Sequence, residues 1–143
     1  MNVFDILKQE HLDIERELFE LEEIMQVDEI NYPNLVHVLR RLTDIWDVHE
    51  KREVDVFSVL RHARISMPVK TMLFEHGALK PHREKIVAGI KEGNEEKLKN
   101  VLKKDGQFII DKLREHIGKE DEVLYRLTLD LFSAEELGRL AGE

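Results

Sequence analysis

Seven residues near the start of the chain, Phe4, Leu7, His11, Ile14, Leu18, Leu21 and Met25, follow one another at alternating spacings of three and four without a miss. Only an α-helix turns such a series into one continuous face, so a helix from about Val3 to Met25 with a single buried seam is expected. His11 holds a seam position where a helix with no special task carries leucine. The pattern returns three times. Leu35, Val38, Leu42, Ile45, His49, Glu53, Val56 and Leu60 form a second seam, starting near Pro33 and ending around His62-Ala63-Arg64. Val69, Met72, His76, Leu79, Arg83, Ile86 and Ile90 form a third, opened by Ser66-Met67-Pro68 and closed at Gly93. Leu98, Leu102, Ile109, Leu113, His116, Glu120, Val123, Leu127 and Leu131 form a fourth, with Asn94 as its N-cap. Ser133-Ala134-Glu135-Glu136 has the form of a capping box, which opens a short C-terminal helix.

The 143 residues suit a single domain, 1–143, with enough chain to bury a real core. No strand pattern, repeat or low-complexity stretch interrupts the helical periodicity. The short connections make successive helices antiparallel neighbours. The fold class expected is therefore all-α: an antiparallel up-down-up-down four-helix bundle with a short C-terminal helix. Loop positions set the depth of each histidine. Seventeen residues separate His11 from Asp28, and seventeen separate Tyr32 from His49, so these two meet at one level. His76 lies seventeen residues before Gly93, whereas His116 lies twenty-two after Asn94. That five-residue difference is about 7.5 Å of helical rise, which an irregularity near Gly106 would absorb.

Composition narrows the chemistry. Cysteine is absent, which excludes disulfides, thiolate catalysis and thiolate metal sites. The net charge of −8, with no basic cluster, argues against nucleic acid and anionic membrane surfaces. No apolar run approaches a membrane-spanning length, and the start of the chain has no export signal, so a cytoplasmic location is expected.

Histidine thus sits on the apolar seam of each of four helices, and two of these residues are followed four positions later by a glutamate, at His49/Glu53 and His116/Glu120. Residues four apart share a helical face. Burying this many ionisable groups without compensation costs kcal/mol for each. Bound divalent cations offset that cost directly, whereas a lone core histidine satisfied by a neighbouring carboxylate would not need one. With no thiolate available, the ligands are imidazole and carboxylate, which suit iron, manganese or zinc. Glu50 is off the ideal seam. It is either a solvated helix residue or, with its side chain turned inward, a further ligand.

The set His11, His49-Glu50-x-x-Glu53, Glu75-His76 and His116-x-x-x-Glu120 resembles the hemerythrin-like (HHE) cation-binding domain family over the whole chain apart from the short C-terminal helix. The resemblance implies a non-haem di-iron centre in a four-helix bundle. It implies His11, His49, His76 and His116 as terminal ligands and Glu53 and Glu120 as bridging ones. It also raises Glu50, because the iron-sensing domains of F-box type use a glutamate directly after that histidine. The chain departs from the oxygen-carrying hemerythrins at two places. Their second third-helix histidine is replaced by Lys80. Their fourth-helix carboxylate comes five residues after the histidine, as an aspartate, where this chain has both Glu120 and Asp121; Glu120 continues the seam.

The function this implies is a non-haem di-iron protein, holding two iron ions with zinc or manganese as substitutes. It would bind or react with dioxygen, nitric oxide or peroxide as sensor, scavenger or iron store. The alternatives are an oxidase or peroxidase, which needs a substrate pocket beside the metals, and a regulatory module that reports metal loading to a protein partner. Pro81 lies inside the third helix and opposes the carbonyl of Gly77, so a distortion there could turn His82 or Lys80 toward the metals. An undistorted helix keeps His82 off the seam, leaving one ligand position open. Tyr125 and Trp46 read as packing residues.

Overall fold

The computed structural model describes residues 3–60 and 66–136; of these, the side chains of residues 57–60, 66–73, 76, 123, 124, 127, 128 and 131 lie outside the description. Every regular element among the described residues is helical. Helix α1 spans Val3–Met25, α2 Tyr32–Leu60 and α3 Ser66–Glu92. Then come α4 (Glu95–Val101), a π turn (Leu102–Gly106), α5 (Gln107–Lys119), a second π turn (Glu120–Leu124) and α6 (Tyr125–Leu131). None of these helices is long and apolar enough to cross a membrane.

The boundaries follow local chemistry. Asn31 opens α2, its side-chain oxygen accepting from the Asn34 amide at 3.2 Å, so the helix starts just ahead of Pro33. Asn94 does the same for α4, accepting from Lys97 N at 3.1 Å. Gly93 stops α3 with φ at 75°, a left-handed conformation that disfavours any side chain. Ser133 and Glu136 exchange reciprocal bonds of 3.1 and 3.2 Å, the capping box expected from their spacing. The C-terminal stop of α2 around His62-Ala63-Arg64 and the short C-terminal helix beyond Glu136 lie outside the described residues.

The fourth seam departs from expectation. One uninterrupted helix is expected from Asn94 to Leu131, but two π turns divide it. The backbone stays right-handed helical across the junctions, with φ/ψ of −62°/−43° at Leu102 and −64°/−48° at Glu120, so the rod is continuous. A π turn closes i→i+5 bonds and so holds one residue more than an α turn. The first falls where the depth difference between His76 and His116 called for an irregularity, and takes up about one residue of it. Gly106 sits in this turn. A Cβ there would come within 3.4 Å of Met25 Sδ, so glycine allows the end of α1 to close on the rod.

Core and polar residues are layered. Ile14, Leu18, Leu21 and Ile24 of α1 cluster with Leu35, Val38, Leu42 and Trp46 of α2, with Leu79 and Ile86 of α3, and with Leu98, Leu102, Ile109 and Leu113 of the last rod. On every helix this apolar layer ends within three or four residues of a seam histidine: Ile14 after His11, Trp46 before His49, Leu79 after His76 and Leu113 before His116. Beyond the histidines a second apolar set is buried, which among the described side chains comprises Val3, Phe4, Leu7, Val56 and Tyr125. The titratable level is thus held between two apolar ones.

Candidate metal centre

Seam spacing delivers the side chains and burial strips them of water. His11, His49, His116, Glu53 and Glu120 are all at most 5% exposed, both glutamates being at 0%. Ligand-type atoms of His11, His49, Glu53 and Glu120 lie within 4.8 Å of one another. Glu120 Oε1 is central: His11 Nε2 lies 3.1 Å from it, His116 Nε2 3.4 Å and His49 Nε2 3.9 Å. Glu53 Oε1 lies 2.7 Å from His49 Nε2.

The far nitrogen of each imidazole is held from outside. His11 Nδ1 lies 3.0 Å from Asp121 Oδ1, His49 Nδ1 3.1 Å from Glu10 Oε1 and His116 Nδ1 2.7 Å from Glu75 Oε2. An ionised carboxylate can only accept, so each Nδ1 donates and each Nε2 is turned inward as the potential ligand. Arg52 Nε clamps Glu10 at 3.2 Å, and Lys119 Nζ clamps Glu75 at 3.1 Å. Consecutive residues Glu120 and Asp121 therefore grip the two nitrogens of one ring, His11. This resolves the choice left open by the sequence: Glu120 faces the cluster and Asp121 holds a histidine from behind.

Charge in this level is strongly coupled. Burial alone would lower the His49 pKa, but Glu53 and Glu10 outweigh it and raise it to about 9. Burial would raise Glu75, yet the bonds from His116 and Lys119 bring it below the ordinary carboxylate range. Burial and the adjoining Glu53 charge push the Tyr125 phenol well above its usual value.

Two expected ligands and the off-seam His82 stand differently. His76 is on α3, and its side chain is outside those described. Glu50 is not among the four clustered residues; its Oε1 pairs with Lys80 Nζ at 2.9 Å. His82 is committed elsewhere. Its Nδ1 lies 2.8 Å from Asp105 Oδ1, and its ring stacks on Phe108 at 4.1 Å. The first π turn places Asp105 inside at 3% exposure, and His82 answers it. Replacing His82 with alanine should leave metal content unchanged and destabilise the fold by about 1–3 kcal/mol, the cost of stranding a buried acid. Thermal melts beside elemental analysis separate the two effects, and loss of metal would place His82 in the centre instead.

Sequence reading missed Tyr125. Its hydroxyl lies 3.1 Å from Glu53 Oε2 and 3.4 Å from His11 Nε2. The available signal was its spacing of five from Glu120, which only a π turn brings to one face.

The donor set suits a cation. His49 Nε2, Glu50 Oε2 and Glu120 Oε2 are buried without a hydrogen bond among the described residues. Native interiors rarely leave such atoms so, and a cation held by the clustered residues would accept lone pairs from His49 and Glu120. Fold and site together define a helical protein with a buried histidine–carboxylate centre. A family model, the Hemerythrin HHE cation binding domain, matches residues 2–128. The chain belongs to that family. No curated protein and no solved structure gives a match.

Proposed function

We propose that the chain is a di-iron protein: an antiparallel up-down-up-down four-helix bundle that holds two iron ions and reacts with dioxygen, nitric oxide or peroxide as sensor, scavenger or iron store. The layering supports this topology. The main apolar layer follows the histidine along α1 and α3 and precedes it along α2 and the last rod, as alternating directions require. The observation that carries the chemistry is the inward convergence of three Nε2 atoms on Glu53 and Glu120, each ring fixed from behind by a carboxylate.

His11, His49, His76 and His116, together with Glu53 and Glu120, would hold the iron. Glu50 is a further oxygen donor through its buried Oε2 while Lys80 holds Oε1. Bound iron would supply a redox-active Lewis acid with a position for a small molecule. The protein does the rest. Glu10, Glu75 and Asp121 fix the imidazole tautomers and raise ligand basicity. The two apolar layers keep bulk water out, which strengthens every charge interaction between them. A donor set this rich in oxygen favours ferric iron, which turns the centre from reversible oxygen carriage toward oxidative or sensing chemistry.

A cleft of about 450 Å³ lined by Glu50, Lys80 and Arg83 lies where the oxygen carriers place a further histidine. Its charges balance, Asp47, Glu50 and Asp55 against Lys51, Lys80 and Arg83, so it offers a small molecule an approach without selecting for an anion. Optical and Mössbauer spectra of the iron-loaded protein, recorded before and after exposure to dioxygen, nitric oxide, peroxide and azide, test the reading. Spin-coupled iron whose spectrum responds to at least one of these supports it. Iron that is mononuclear, or blind to all four, overturns it.

A further inference from the structure

We propose that Tyr125 is a positioning residue of the metal centre, its phenol donating a hydrogen bond that fixes which oxygen of Glu53 faces the ligands. The inference rests on the metal-binding reading above and assigns a role to a residue outside the ligand set.

The sequence alone points Tyr125 away. Five residues of α-helix turn through 500°, leaving it about 140° from Glu120. The π turn at Glu120–Leu124 takes up much of that offset, because its i→i+5 bonds hold about one residue more per turn. Glu120 and Tyr125 both end at 0% exposure. π turns recur at functional sites, where the extra residue re-aims a side chain. The ring packs on Phe4 at 4.9 Å and lies nearly parallel to His11 at 5.5 Å, with 7° between planes. Phenylalanine would satisfy both contacts.

The hydroxyl is what phenylalanine lacks. It has one proton and two neighbours, Glu53 Oε2 at 3.1 Å and His11 Nε2 at 3.4 Å. The buried carboxylate is the shorter contact and the stronger acceptor, so the proton goes to Glu53. Glu53 Oε1 meanwhile lies 2.7 Å from His49 Nε2. One oxygen is therefore held by tyrosine and the other is presented beside the histidine. Without the hydroxyl, Glu53 loses the donor that holds Oε2, and its last torsion is a broad one. A group that orients a metal ligand in this way is worth roughly 10–100-fold in affinity.

Tyr125→Phe separates the hydroxyl from the ring. Zinc and ferrous iron are titrated anaerobically into wild type and variant against a chromophoric chelator, and the metal-free proteins are melted in parallel. Expected are an unchanged stoichiometry, an affinity weaker by roughly 10–100-fold and a metal-free melt within a few degrees of wild type. Equal affinities overturn the inference while leaving the metal centre standing. Failure of the wild type itself to bind either metal overturns the centre and the inference together. A second reading needs no variant. Zinc loading of the wild type should give no tyrosinate ultraviolet difference band, because the phenol keeps its proton. Such a band, or a visible phenolate-to-iron band in the ferric wild type, would make Tyr125 a ligand rather than a donor and overturn the proposal.

Discussion

Anaerobic loading with ferrous iron should bring two ions to each wild-type chain, and none to the His49→Ala, His116→Ala double variant. The two histidines come from different helices and flank Glu120, His49 at 3.9 Å and His116 at 3.4 Å. Their loss removes an imidazole from either side of the carboxylate that the structure places at the centre. It also leaves Glu10 and Glu75 paired only with Arg52 and Lys119. Elemental analysis after desalting gives the stoichiometry directly. Near-zero iron in the wild type, or iron retained by the double variant, would defeat the assignment of these residues.

The second large effect is on stability. A ligand that binds only the folded state adds RT ln(1 + [L]/Kd), about 4 kcal/mol at a thousandfold excess over Kd. For a domain of this size that corresponds to a rise in melting temperature of about 10 °C. Chelation should reverse it. The effect should also grow with pH. In the metal-free protein the pKa of His49 is raised from 6.5 to about 9. Its contribution is therefore complete below pH 6.5 and lost as pH rises through 9. Metal needs the neutral ring, so over the same interval its affinity gains as the metal-free fold weakens. Melts at pH 6, 7.5 and 9, with and without zinc, check both trends. A melt indifferent to chelation would mean that the folded state binds no metal.

Much of this was legible because helical periodicity is a strong signal and histidine on an apolar seam a conspicuous exception to it. The bounds of α1 and α3, the Asn94 cap, the Gly93 stop and the capping box at Ser133 follow from residues acting on their immediate neighbours. Inward placement of His11, His49, Glu53, His116 and Glu120 follows from spacing alone. What stayed hidden depends on distant partners or on winding. Nothing in the sequence near Glu10 says that it reaches His49 on another helix. Trading an α turn for a π turn is a tertiary decision, and both the inward tyrosine and the His82–Asp105 pair depend on it. Glu50 was ambiguous in sequence because its fate turns on Lys80, thirty positions away.

The start of α1 bears on how fast an ion could leave. The deep layer joins all four long helical stretches. On the other side of the histidines, Val3, Phe4 and Leu7 come from the first two turns of α1, and Phe4 packs on Tyr125 at 4.9 Å. Opening the end of one helix demands far less than melting the molecule, as local fluctuations in proteins generally do. Exchange of a bound ion with the surroundings would then be set by the lifetime of a small door and not by the lifetime of the native state. Such a protein can be thermally robust and yet trade its cargo within seconds, a combination useful to a store or to a sensor that must reset. Substituting Phe4 with alanine should shorten the residence time of zinc well before it disturbs the deep layer.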